Sequence, residues 1–147
     1  EAAIRRVLRI QDLLSNDNAA NSTTPLAELY HVNAEQSKLL LGTRKADTAQ
    51  AYNKLGIFWA KHERRSRALK ALRQAALMYA EMDEKANAGR VYGNIGRINL
   101  DHENFKGAVK YSKRAFDKLK RAIGAHHQEA VIFRRQLCHG LLAWSEN

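Results

Sequence analysis

The residues with the strongest claim to chemistry are Cys138-His139 and His126-His127, since thiolate and imidazole are the side chains that hold zinc. Their spacing follows no standard zinc pattern, and His126-His127 sits where a helix begins, a place where polar residues are common. No metal and no cofactor is therefore expected, and Cys138 reads as a small core residue. The glycines are scattered singly inside helical stretches, so no loop is built to cradle phosphate. No serine or cysteine stands in a nucleophile setting. The chain is not expected to be an enzyme, and the chemistry left to it is recognition by cations and amides.

Cations dominate. The formal charge is +10 and the pI near 10.0, which points to nucleic acid, an acidic membrane or an acidic protein surface. Arg67, Lys70 and Arg73 follow one another at three-residue spacing, and Lys106, Lys110, Lys113, Arg114, Lys118, Lys120 and Arg121 nearly surround the exposed half of their helix. Such a positive face suits phosphates or an acidic lattice such as tubulin tails, with affinity falling as salt rises. Against nucleic acid stands the lack of aromatics interleaved with these charges, because stacking platforms are how single strands are held. The alternative is a face that only keeps the chain soluble.

These side chains must be carried by helices. Only one proline and eight glycines punctuate 147 residues, and 45% of the residues are hydrophobic, enough for a sizeable core. Apolar spacing predicts helices over residues 2–14 (Ile4, Val7, Leu8), 26–41, 46–61, 65–82, 86–101, 104–123 and 127–144, seven in all. A small, polar stretch at 15–24 reads as a loop, ending in Thr24 as cap and Pro25 at the first helical position. Gly42 stops the second helix, and His62-Glu63-Arg64 makes a tight turn. His62 and His102 fall at helix ends, where a cation suits the dipole. Cys138 has no partner for an intrachain disulfide, and no secretory leader or apolar run of transmembrane length is present. A soluble, intracellular and cytoplasmic protein without membrane insertion is expected. Beginning at Glu1 without a methionine, it reads as a segment of something longer.

The helices repeat. Tyr52, Leu55, Gly56, Ala68 and Ala75 are answered forty residues later by Tyr92, Ile95, Gly96, Ala108 and Ala115, and the match extends to Lys45-Ala46 with Lys85-Ala86 and to His62 with His102. Repetition at this period means stacked helical hairpins that cannot bury their apolar faces alone. The small residues follow from packing. Two antiparallel helices joined by a short turn approach closely only where the crossing lacks bulk, and Gly56 or Gly96 opposite Ala68 or Ala108 supplies the gap.

These residues resemble the tetratricopeptide repeat family, whose hairpins carry a large residue, a Leu-Gly pair, an aromatic, and two alanines with a bulky residue between them. The first unit supplies Tyr52, Leu55-Gly56, Trp59, Ala68, Leu72 and Ala75; the second supplies Tyr92, Ile95-Gly96, Phe105, Ala108 and Ala115. It departs at Asn99, where the family has an aromatic, and at Ser112, where it has a large apolar residue, so a looser fit between its helices is expected. The forty-residue period and Tyr92-Gly93-Asn94-Ile95-Gly96 are similar to the LGN-type adaptors, with longer second helices accounting for the extra residues. The resemblance implies an all-α solenoid of antiparallel hairpins. Residues 1–45 would be a degenerate first hairpin, 46–84 and 85–124 two repeats, and 125–147 a cap or the start of another.

In this family first helices line a concave groove and second helices form the convex back. The groove positions fall on Gln50, Asn53, Lys54, Ile57 and Ala60, then on Arg90, Asn94, Arg97 and Leu100. Asn53 and Asn94 would pin a peptide backbone, while Lys54, Arg90 and Arg97 favour acidic side chains. The clamp that holds the carboxylate of heat-shock chaperones is disfavoured, because of its pattern only Asn94 fits. The expected role is a scaffold or adaptor segment that binds an acidic peptide or partner helix. The rival is a structural or nucleic-acid-associated role for the basic back. A third outcome is a spacer whose apolar ends, Ile4-Val7-Leu8 and Leu137-Leu141-Leu142, pack on neighbours or on another copy.

Overall fold

The structure, a computed structural model, describes residues 34–35 and 46–147. The helices expected at 2–14 and 26–41, the loop at 15–24 and the Gly42 stop lie outside the described residues, apart from helical Ala34 and Glu35. Five helices follow: α1 (Ala46–Lys61), α2 (Arg65–Glu81), α3 (Lys85–Asp101), α4 (Phe105–Ile123) and α5 (Gln128–Ser145). No strand occurs among the described residues. Each helix begins and ends within a residue of its predicted bounds. The second helices are longer than the first by one and two residues, 17 against 16 and 19 against 17.

The first three interhelical turns are one structure made three times. Glu63, Asp83 and Glu103 adopt left-handed backbone, with φ of 58, 57 and 58°. In each turn that residue's N–H donates to the carbonyl three back (Ala60, Ala80, Leu100), and the next N–H donates to the carbonyl five back (Trp59, Tyr79, Asn99) at 2.8–2.9 Å. This is the Schellman arrangement, which satisfies carbonyls that the helix end would leave bare. Asn104 adds a cap to the third turn, its Oδ1 accepting from the Gly107 N–H at 3.3 Å. The next turn uses Gly124, at φ 95°, to end α4.

The chain divides into two compact units, Glu1–Met78 and Tyr79–Asn147. In the first, α1 and α2 run antiparallel and meet at Gly56. A Cβ there would sit 2.5 Å from Leu72 Cγ and 3.2 Å from the Ala68 carbonyl, so the glycine is what admits Leu72. Leu72 is fully buried, a contribution of about 1.5–3 kcal/mol. The Tyr52 hydroxyl donates to Glu35 Oε1 at 3.0 Å. Burial, then that bond and the carboxylate's charge, push the phenol up to about 12.

In the second unit α3 and α4 pack along their lengths, and α5 lies on both. Ile95, Val91, Ala108, Ala115 and Leu119 are wholly buried. The loose fit expected at Asn99 and Ser112 is not what the structure shows. Both are buried, at 3% and 0% exposure, and both are hydrogen-bonded. Asn99 Nδ2 donates to the Ile95 carbonyl at 2.9 Å and its Oδ1 accepts from Asn104 Nδ2 at 2.8 Å. Ser112 Oγ accepts from Gln136 Nε2 at 2.9 Å, and the same amide donates to the Gly93 carbonyl at 3.0 Å. A Cβ on Gly96 would lie 2.7 Å from Ser112 Oγ. The crossing is as tight as the first, with polar bonds where the first has a leucine.

A left-handed backbone costs an L residue about 1–2 kcal/mol, which glycine avoids at some loss of chain entropy. Glu103→Gly is therefore expected to stabilise the fold by about 0.5–1 kcal/mol, read from the urea midpoint. An unchanged or lower midpoint would show that the Glu103 side chain holds the turn.

Candidate functional site

Each unit presents its own set of the residues expected to bind a partner. On α1, Gln50 is exposed and Asn53, Lys54 and Ile57 are half-buried, at spacings that place them on one helix face. On α3, Arg90 and Asn94 are half-buried and Arg97 is exposed, one above another at i, i+4 and i+7.

The two arginines are already engaged. Arg90 makes a two-pronged pair with Glu129 of α5, Nε to Oε2 at 2.5 Å and Nη2 to Oε1 at 3.0 Å, while Nη1 donates to Asn87 Oδ1 at 2.8 Å. This fork is the geometry that suits guanidinium and carboxylate. The bond to Arg90 holds the Glu129 carboxyl below its usual range against the opposing effect of burial, and Glu129 raises Arg90 in turn. Arg97 Nε pairs with Asp101 Oδ1 at 3.1 Å one turn on, in the open. Arg90 therefore also serves as a strut between α3 and α5.

The strut is one of several. Phe133 faces Gly93, where a Cβ would fall 2.0 Å from the ring, and Gln136 binds the Gly93 carbonyl. Gly140 of α5 sits over Ala108 and Val109. Glu129, Phe133 and Gln136 thus fix α5 parallel to α3, a set that sequence reasoning missed. A signal was present: continuing the forty-residue register puts Gln136 where Gly56 and Gly96 stand.

The expected basic residues lie in two groups. On α2, Arg67, Lys70 and Arg73 are exposed, and Arg67 rests over the Trp59 ring at 4.9 Å. On α4, Lys106, Lys110, Lys113, Arg114, Lys120 and Arg121 are exposed and Lys118 is half-buried. Here the expectation that no aromatic stands among these charges is corrected. Tyr92 of α3 stacks on Tyr111 of α4, centroids 6.1 Å apart, and Lys110, Arg114 and Lys118 lie over the two rings at 5.5–5.9 Å. Tyr111 stands between Lys110 and Lys113 in the sequence itself, and only Tyr92 reaches the cations from another helix.

Cys138 is exposed, not a core residue, because α5 turns Gln136, Leu137 and Gly140 inward and leaves Cys138 on the outer side. His127 caps α5, its Nδ1 accepting from the Glu129 N–H at 3.2 Å, and His62 lies 4.4 Å from the Phe58 ring. Among the described residues no three or more His, Cys, Asp and Glu side chains come together as a metal would require. No described helix is long and apolar enough to cross a membrane.

With the hairpin geometry in view, residues 89–137 match the family model described as tetratricopeptide repeat. Residues 89–137 carry a tetratricopeptide repeat. The matched span takes in most of α3, all of α4 and half of α5, so α5 belongs to the repeat's packing. The crystal structure of BtubC (BKLC) from P. vanneervenii is similar in fold, with a TM-score of 0.72 and 17% identity over 84% of this chain and 50% of that one. This chain spans about half the length of that protein. No curated protein matches the sequence significantly.

The Arg90–Glu129 pair predicts a pH effect. A carboxyl held low in the folded state stabilises above its unfolded value of about 4.3, and the effect is lost as pH falls through the folded value. Both side chains are more than a third exposed, so solvent holds the pair below about 1 kcal/mol. Glu129→Gln should be less stable than wild type at neutral pH, and the gap should close in acid. Urea unfolding at both ends of that range decides it; a gap that persists at low pH contradicts the ion-pair account.

Proposed function

We propose that this chain is a non-enzymatic protein-interaction module, a scaffold or adaptor segment that takes a peptide or partner helix of acidic character on a first-helix face. The observation that carries the reading is the tetratricopeptide repeat itself, whose α3 sets Arg90, Asn94 and Arg97 on one face. Members of this family are interaction modules, and their partners differ widely on a shared fold.

On α3 the proposed division of labour is specific. Arg90 spends its fork on Glu129 and keeps part of its edge exposed, so it serves to fix the floor of the site. Asn94 offers an amide that can both donate to and accept from a peptide backbone. Arg97, exposed and paired only one turn along its own helix, can exchange Asp101 for an incoming carboxylate with little loss. Gln50, Asn53, Lys54 and Ile57 form the corresponding set on α1.

The test is affinity capture from cell extract with wild type, Asn94→Ala/Arg97→Ala and Lys110→Glu/Lys113→Glu. A partner lost with the α3 variant and retained by the α4 variant is the expected result. An α3 variant that captures every partner wild type captures would reject the first-helix face as the site.

A further inference from the structure

The geometry points to the edge formed by α4 and Tyr92 as a second docking site, one that takes an extended acidic polypeptide. It stands independently of the α3 face, since it uses none of Arg90, Asn94 or Arg97.

Charge comes first. α4 carries seven cations, Lys106, Lys110, Lys113, Arg114, Lys118, Lys120 and Arg121, and one acid, Asp117. The ion pairs between described helices involve Arg90 and Glu129, and none of the seven stands within ion-pair distance of a described carboxylate. A helix so charged repels itself, and an acidic ligand relieves that repulsion.

Spacing comes next. Lys110, Arg114 and Lys118 recur every four residues, so they rise along α4 in steps of about 6 Å. Alternate side chains of an extended chain are about 6.6 Å apart, close enough for every second residue of an acidic strand to meet one cation.

The tyrosines supply order. Lys110 lies 5.5 Å from the Tyr111 centroid, Arg114 5.8 and 5.7 Å from Tyr92 and Tyr111, and Lys118 5.9 Å from Tyr92. Resting on ring faces, these side chains have less freedom to lose when a carboxylate arrives. The same contacts decide against single-stranded nucleic acid as the occupant. Its bases need open ring faces, whereas here the rings are stacked on each other and covered by cations.

The experiment is fluorescence anisotropy with labelled deca-glutamate, competed by a single-stranded oligothymidylate of equal charge. Arg114→Gln/Lys118→Gln should weaken deca-glutamate roughly tenfold, the loss of two exposed ion pairs. Lys70→Gln/Arg73→Gln, which removes the same charge from α2, should change it little. Tyr111→Leu, which keeps every charge, should weaken it measurably, while Tyr111→Phe should not. Asn94→Ala/Arg97→Ala should leave it unchanged, so this site and the α3 face fail separately. Equal weakening by the α2 and α4 variants would reduce the effect to net charge and overturn the proposal. So would an indifferent Tyr111→Leu, or an oligothymidylate that binds more tightly than the peptide.

Discussion

Everything in these hairpins depends on how closely two helices approach at a single glycine. At Gly56 and again at Gly96 a Cβ would overlap a side chain of the opposing helix at 2.5 and 2.7 Å. Removing that one carbon lets the helices close until Leu72 on one side, and Ser112 with Gln136 on the other, fill the gap. The helices then lie near enough for their other small residues, Ala68, Ala75, Ala108 and Ala115, to be wholly buried. Helix propensity pulls the other way, since glycine costs a helix about 1 kcal/mol against alanine. Packing outweighs propensity at both sites.

The second unit shows that a tight crossing need not be apolar. Asn99 and Ser112 each bury a polar group, and each finds a partner, Asn99 inside the hairpin and Ser112 on the helix beyond it. Asn104 answers the first and Gln136 the second, and the Gln136 amide also reaches the Gly93 carbonyl. Buried polar groups stabilise only when fully bonded, and a network of this kind ties its members to one arrangement. α5 is therefore specified by α3 and α4 through Gln136, through Phe133 on Gly93, and through the Arg90–Glu129 fork. That coupling bears on the recognition proposed above, because the α3 face is held in place by the helix beside it.

The helices from α1 to α5 were legible in the sequence, as were the turns and the glycine crossings, because each follows from a local rule: apolar periodicity, a small residue at fixed register, a polar break. Three things were not. The bonding of Asn99 and Ser112 depends on Asn104 and on Gln136, the latter twenty-four residues beyond Ser112, and the forty-residue register aligns Gln136 with Gly96 without naming Ser112 as its partner. The stacking of Tyr92 on Tyr111 depends on how two helices are rotated about their axes, which a residue list does not fix. Cys138 was misplaced for the same reason, since composition makes a lone cysteine a core residue and only the rotation of α5 puts it outside. Of the residues proposed for binding, the sequence did not show that Arg90 and Arg97 are paired, nor that Lys110, Arg114 and Lys118 rest on tyrosines.

The most direct measurement is the urea unfolding of Gly96→Ala beside Ser66→Ala, a control on the exposed face of α2. If close approach governs the fold, Gly96→Ala loses about 1–3 kcal/mol while its far-ultraviolet spectrum stays helical, and the control is neutral. If Gly96→Ala instead matches or exceeds wild type, as helix propensity alone requires, the crossing does not depend on the glycine and the account given for both hairpins is wrong.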